Sequence, residues 1–498
     1  MVHRALIPVT LLASGLTAQT HIAGALGSVH FVTSCSPAVA PQFDRAVALL
    51  HSFEFGAAIK AFTDVRAADS TCAMADWGIA LSRWGNPMSA GNRPPAALAA
   101  GRDAANAAGR LAVGASDRER DYVAAVAELF GDVEHRDQRV RVLAYEAATK
   151  ALAARFPADT EAQIFHAIAL VAAAPPTDKT FVKQREAGVI LEGIWVKQPD
   201  HPGLAHYIIH AYDIPALAPQ ARAAAERYAG IAPGAAHALH MPSHTFTRLG
   251  MWRESIATNL RSIAQASKHG SIAEVLHASD YAVYAYLQLQ QNAAAKKIID
   301  GLPVLAARFD PAAVTGAAPG SAGVFALAAM PARYALERRD WKMAASLRPA
   351  ATAFPYAEAM TYLARGLGAA HTGNLGDAGG CIDSLGAIHA RLVSQGEAYW
   401  AEQVAIGQLE ARTWWHFASG RTDSGLVAMH DAIVREDATE KNAVTPGPLA
   451  SAHELMGDLL MELKRPREAL VEYRATLVKE PNRYRAVHGA AIALRAIH

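Results

Sequence analysis

An interval of 34 residues constrains this chain more than any other feature. Near the C-terminus, Gly457, Ala469, Tyr473, Leu477 and Pro481 set out one unit. A small residue is followed at +12 by another, at +16 by an aromatic, at +20 by an apolar residue and at +24 by proline. The physics is direct. Small residues let two helices approach, the aromatic fills the remaining gap, and proline ends the second helix. The pattern recurs at Gly366, Gly373, Leu375, Ala378 and Ile382, at Ala332, Trp341 and Ala344, and at Gly250, Trp252, Ser255 and Asn259. It begins with Ala46, Ala58 and Phe62. Elsewhere Ala-rich stretches place apolar residues at i, i+3, i+4 and i+7, and strand signals are scarce, so the chain reads as all-α. Stacked helical units of this period form a solenoid.

These units resemble the tetratricopeptide-repeat superfamily over most of residues 40–498. The resemblance implies a superhelix of antiparallel helix pairs with a concave groove, where such solenoids commonly bind peptides. The order of motifs is also similar to a group of bacterial repeat proteins. The residues that carry this are Cys72-Ala73-Met74-Ala75 with Trp77-Gly78, His201 to Asp213, and His240 to His244. That second resemblance brings no assigned chemistry. Three stretches break the rhythm: Asn86 to Pro95, Pro311 to Gly323, and Asp437 to Pro448. They read either as surface insertions or as loops that cover the groove. Residues 28–310 are expected to form an N-terminal array with a His-rich groove, 311–323 a linker or lid, and 324–498 a C-terminal array.

Residues 1–27 read as a secretory signal, with Arg4 before the apolar run Ala5 to Leu16 and cleavage expected after Ala18 or Gly27. The expected location is therefore periplasmic or secreted. Export permits disulfides. Cys35 and Cys72 lie 37 residues apart and flank one predicted helical hairpin, so they are expected to pair, the alternative being two buried thiols. Cys381 is expected to be a buried free thiol. No later stretch has 18 uninterrupted apolar residues, so no membrane span is expected. Lys and Arg sum to 47 against 46 Asp and Glu, which leaves no basic excess for nucleic acid or an acidic membrane. Three cysteines cannot build a disulfide scaffold or a four-Cys zinc site.

Histidine is abundant, at 21 residues, and it is placed. His206 and His210 are four apart, as are His240 and His244, so each pair shares a helical face. The two pairs are 34 residues apart, one repeat period. With Gly250 as the mid-turn glycine, both pairs fall at repeat positions 5 and 9. His237 then falls at 2 and Asp213 at 12. In the superfamily that the chain resembles, these positions face the groove. In the next unit His277 and Asp280 fall near positions 2 and 5.

Two such pairs on neighbouring helices can satisfy one transition-metal ion, Zn, Cu or Fe. The expected ligands are His206, His210, His240 and His244, with Asp213, His237 and Asp280 as candidates for catalytic work beside them. Two other readings stay open: groove histidines that bind substrate or act as general bases without metal, and histidines that only pack or cap helices. Pro242 either interrupts the helix or starts it, leaving His237 and His240 in the preceding turn. His51 and His166 read as core or groove wall, and His201 as a cap neighbour or outer ligand. Tyr207, Tyr212, Phe246 and Trp252 read as packing.

Two functions follow. One is an exported metal-dependent enzyme, a hydrolase or oxidoreductase, acting on a small molecule in the groove. The other is a non-catalytic scaffold that binds a peptide or protein partner, chiefly through the C-terminal repeats. The groove positions Gly203, His206, His210, Asp213, His237, His240, His244 and Thr247 hold no Lys or Arg, which counts against a carboxylate clamp. No Ser-His-Asp elbow, phosphate loop or dinucleotide glycine motif stands out.

Overall fold

The computed structural model describes residues 25–498. Most of the expected secretory signal, residues 1–24, lies outside the described residues. The described residues form helices and no strand. Consecutive helices joined by short turns pack as antiparallel pairs, for example Ala40–His51 with Phe55–Ala68, Ala398–Ala418 with Thr422–Ala438, and Ala452–Glu462 with Pro466–Lys479. The fold is an all-α, tetratricopeptide-like solenoid.

The repeat residues do what their sizes dictate. A Cβ on Gly457 would stand 2.7 Å from the Tyr473 ring, and one on Gly489 would stand 2.5 Å from it. Tyr473 thus fills the space that two glycines leave, and its hydroxyl donates to Asp458 Oδ1 at 2.8 Å. At the other end Phe62 lies directly over Gly78, where any side chain would collide with the ring. Local signals set the helix starts. Ser116 and Glu119 form a reciprocal capping box on Asp117–Glu128, and Asp159 caps Thr160–Ala172.

Pro242 opens Pro242–Arg248, while His237 and His240 sit on the short preceding helix Ala236–His240. The break is confined to Met241, which keeps helical angles (φ −52°, ψ −37°), so the axis continues. His244 N–H reaches back only three residues, to Met241 O at 3.0 Å. Pro242 therefore starts a helix, as the second sequence alternative has it, but His237 and His240 lie on a short helix before it and not in a turn.

The largest apolar cluster gathers residues between Leu26 and Phe246 together with Ala317, and a second runs from Phe325 to Ala493. Between them Leu276 and Val283 of Ile272–Gln288 pack with Ala326 and Met330 of Gly320–Glu337. The C-terminal end folds back on the middle of the chain. Trp252 Nε1 donates to Asn482 O at 3.0 Å, and Tyr484 N–H donates to Gln288 Oε1 at 2.9 Å. Gly250, at φ +65°, lies so close under the Pro481 carbonyl that only glycine fits. Arg483, fully buried, joins Glu454, Glu337 and Glu480 and donates to Tyr284 Oη.

All three interrupting loops cover the groove and bond to one another or to its floor. Asn86 Nδ2 donates to Ala317 O at 3.4 Å, and Asn442 Nδ2 to Met88 O at 3.1 Å. Gly56 N–H donates to Thr315 O at 2.9 Å, and Tyr281 Oη donates to Ala443 O at 2.8 Å. No helix among the described residues is long and apolar enough to cross a membrane.

Cys35 and Cys72 form a disulfide around the first helical hairpin, as their spacing led us to expect, and Cys381 is a buried free thiol. Closing a loop with a sequence separation of 37 restricts the unfolded chain by about 4 kcal/mol in the chain-entropy picture. The double variant Cys35→Ser/Cys72→Ser is expected to lower the urea midpoint with the helical circular dichroism of the native state retained. An unchanged midpoint would show that the bond contributes nothing.

Candidate metal centre

Three inner helical segments carry the site: Pro202–Ala211, Ala236–His240 continued by Pro242–Arg248, and Ile272–Gln288. The repeat stacks them side by side, so residues at equal phase become neighbours in space. His206, His210, His237, His240, His244 and His277 are all buried, none more than 6% exposed. Their ligand atoms fall into two triads, His206/His210/His237 and His240/His244/His277, each within 4.8 Å of one another. The sequence led to one ion shared by two pairs. The structure instead gives each pair a third imidazole, His237 for the first and His277 for the second.

Hydrogen bonds fix two rings of the second triad, those of His240 and His244. His240 Nδ1 lies 2.7 Å from Asn259 Oδ1. Asn259 spends its amide N–H on Ser255 O at 2.7 Å, so Oδ1 is an acceptor and His240 Nδ1 must donate. His244 Nδ1 lies 2.9 Å from Asp213 Oδ2, again an acceptor. Both rings therefore carry a proton on Nδ1, and as neutral imidazoles they leave Nε2 bare. Those two bare nitrogens face each other at 3.0 Å. Adding a proton between them is disfavoured. Burial, then His277 and His244, push His240 well below its usual pKa. Burial also lowers His244, against the pull of Asp213.

Asp213 is held as a carboxylate. Burial alone would raise it, but Lys441 and Arg248, then His244, hold it well below the usual range. Arg248 Nε donates to Asp213 Oδ1 at 2.9 Å. In the first triad His206 Nδ1 donates to the His51 carbonyl at 2.6 Å, which leaves its Nε2 bare 3.1 Å from His210 Nε2. Burial pushes His206 down to about 3. Neither ring nitrogen of His237 has a hydrogen-bond partner, and its Nδ1 lies 4.0 Å from Glu274 Oε2. Glu54 Oε1 accepts the His237 backbone N–H at 3.4 Å. Burial, then Glu274, raises Glu54 to about 8, and burial raises Glu274 to about 7. Glu274 also accepts Ala318 N–H at 2.6 Å, which ties the expected 311–323 linker to the site; as a loop it ends at Pro319, because residues 320–323 already belong to the helix Gly320–Glu337.

A third buried group supports the first triad. Glu161 bridges His51 Nε2 and His201 Nε2, at 2.9 Å each, and His51 Nδ1 meets Tyr207 Oη at 3.1 Å. Gly203 exists because of this: a Cβ there would stand 2.6 Å from His51 Nδ1. His51 is thus a positioning residue rather than plain core, and Tyr207 has a polar partner as well as packing. Asp213 and His237 join the imidazole cluster. Asp280 instead turns to Arg333, with Nε 3.3 Å from Oδ1. Arg333 also holds Thr445 and the Gly447 and Pro448 carbonyls, so this pair anchors the 437–448 loop.

Sequence reasoning missed Glu54, Glu161, Glu274, Tyr281, Arg248 and Lys441, and noted Asn259 only as a repeat position. None carries a chemical motif, although Arg248 shares a helix with His244, and Glu274 and Tyr281 share one with His277. Two cavities adjoin the cluster. One of about 20 Å³ is bounded by His210, His237, His244 and His277 and roofed by residues of all three loops. Another, of about 330 Å³, is lined by Arg139, Phe181, His210, Asp213, Tyr399 and Lys441 among others. His210, Met88, Ser89, Asn442 and Ala443 line both.

No family model matches the chain. No curated protein matches it either. Among the solved structures that the chain is similar to are two of low identity. One is the crystal structure of the APC/C hetero-tetramer Cut9-Hcn1, with 11% identity and a TM-score of 0.27, covering 91% of this chain and 96% of that one. The other is Naa15/Naa10 bound to HypK-THB, with 14% identity and a TM-score of 0.25, covering 93% of this chain and 81% of that one. At these scores the fold stands on the chain's own helices and side-chain contacts.

Arg333 and Asp280 are both fully buried. Removing the cation strands a carboxylate, which costs about 3–5 kcal/mol. Arg333→Met is expected to lower the urea midpoint sharply, and adding Asp280→Asn should recover part of the loss. Equal midpoints for Arg333→Met and wild type would show that the pair anchors nothing.

Proposed function

We propose that this chain is a tetratricopeptide-like scaffold built around a buried transition-metal site, at which it acts on a small molecule. The observation that carries the reading is the pair of bare nitrogens of His240 and His244, 3.0 Å apart. Two lone pairs at that distance repel unless a cation lies between them. Two nitrogens bound to one tetrahedral ion at 2.0–2.1 Å lie about 3.3 Å apart, so little movement would seat an ion there. Asp213, Asn259 and the His51 carbonyl hold the outer nitrogens, the usual device for aiming imidazole ligands.

Imidazole donors suit Zn, Cu or Fe. Three protein ligands leave a coordination position open, the arrangement that lets a metal activate water or a substrate oxygen. The larger cavity, reaching His210 and Asp213, is the route by which a small substrate would arrive. The disulfide favours an oxidising compartment, consistent with the proposed export to the periplasm or medium. The scaffold reading is weaker at this site, because the loops leave no open groove for a peptide beside the histidines.

Elemental analysis of the purified mature protein is expected to find a transition metal. His240→Ala and His206→Ala should each lose bound metal. Asp213→Asn keeps the shape but weakens the hold on His244 Nδ1, and should weaken metal binding by about 10–100-fold. Protein that takes up no Zn, Cu or Fe, supplied aerobically or anaerobically, would sink the proposal.

A further inference from the structure

The two triads do not merely lie near each other. Two imidazoles from each, His210 and His237 of one and His244 and His277 of the other, bound the same cavity of about 20 Å³. That is roughly the room one water molecule needs. Across it the rings of His210 and His244 have centroids 6.1 Å apart, and beside it those of His237 and His240 lie 5.9 Å apart. Each triad supplies three ligand atoms and no more, so an ion in either one would keep an open position.

We infer that the two triads together form a dinuclear centre, two metal ions sharing one bridging solvent oxygen held in the small cavity. This rests on the metal-binding reading above and goes beyond it in number and coupling. Charge argues in the same direction. All six ligands are neutral imidazoles, and the carboxylate nearest the second triad, Asp213, is already matched by Arg248 and Lys441. Glu274 and Glu54, beside His237, can offset part of the charge of two buried cations, and a hydroxide bridging the ions offsets more. Two-metal sites hold their ions about 3.5–4 Å apart, close enough for one oxygen to bind both. The chemistry this suits is activation of a solvent oxygen, or of a small oxygen-bearing ligand that displaces it.

The test uses full-length mature protein, stripped of metal and titrated with Cu(II) alone. Two coppers per chain are expected, with an electron paramagnetic resonance signal several-fold weaker than two isolated Cu(II) ions give, because bridged ions pair their spins. X-ray absorption on the same sample should show copper–copper scattering at about 3.5–4 Å. His237→Gln and His277→Gln should each bind one copper and restore the signal of an isolated ion. Two coppers at full signal intensity, with no copper–copper scattering, would overturn the dinuclear centre and leave the metal-binding reading standing. So would a single copper per wild-type chain. No uptake of copper would overturn the dinuclear centre as well, and failure with zinc and iron too would sink both readings. The wild-type measurements decide the matter even where a variant fails to fold.

Discussion

Two lone pairs facing each other across 3.0 Å, on buried rings, are the constraint on which the site depends. They face because Asn259 and Asp213 each demand a proton from the far side of a ring. Asp213 can make that demand because Arg248 and Lys441 keep it charged. Arg248 comes from the helix of His244, and Lys441 from a loop almost 200 residues further on. The site is therefore not a local motif. It is assembled by the stacking of repeats and sealed by loops from both halves of the chain. Burial matters twice over: it stops the rings from taking protons, and it makes any unpaired polar atom costly. His237, with both ring nitrogens unpartnered among buried carboxyls, shows the same tension.

The solenoid supplies the means. Each repeat uses small residues to bring two helices close, and the aromatic over Gly457 and Gly489 shows how tight that fit is. Stacking turns a period of 34 residues into spatial adjacency, so that one phase becomes one wall. A solenoid is normally open along its length. Here the C-terminal end returns to the turn at Gly250, and three insertions fill the groove over the imidazoles. The groove beside the histidines is thereby covered by loops rather than left bare along its length.

The sequence made the helices legible because period, small residues and prolines act locally. It made the paired histidines legible because their phase follows the same period. The assignment of imidazoles to triads was not legible. It depends on the break at Met241 and on which ring each Nε2 meets, both set by packing. His51, Glu54 and Glu161 were illegible for another reason. His51 meets Glu161 across 110 residues and His206 across 155, and no spacing rule reaches that far. Asp280 has the right phase but a stronger attraction, the buried guanidinium of Arg333. The loops were legible as interruptions, and only the folded chain says that they turn inward.

The most direct measurement of the central claim is anomalous diffraction, recorded at the absorption edge of the metal that the purified protein carries. The account predicts an anomalous peak bound by His240 Nε2 and His244 Nε2, about 2.0–2.1 Å from each if the ion is zinc. Clean density with no such peak, and one of the two rings turned so that its N–H donates to the other, would contradict it.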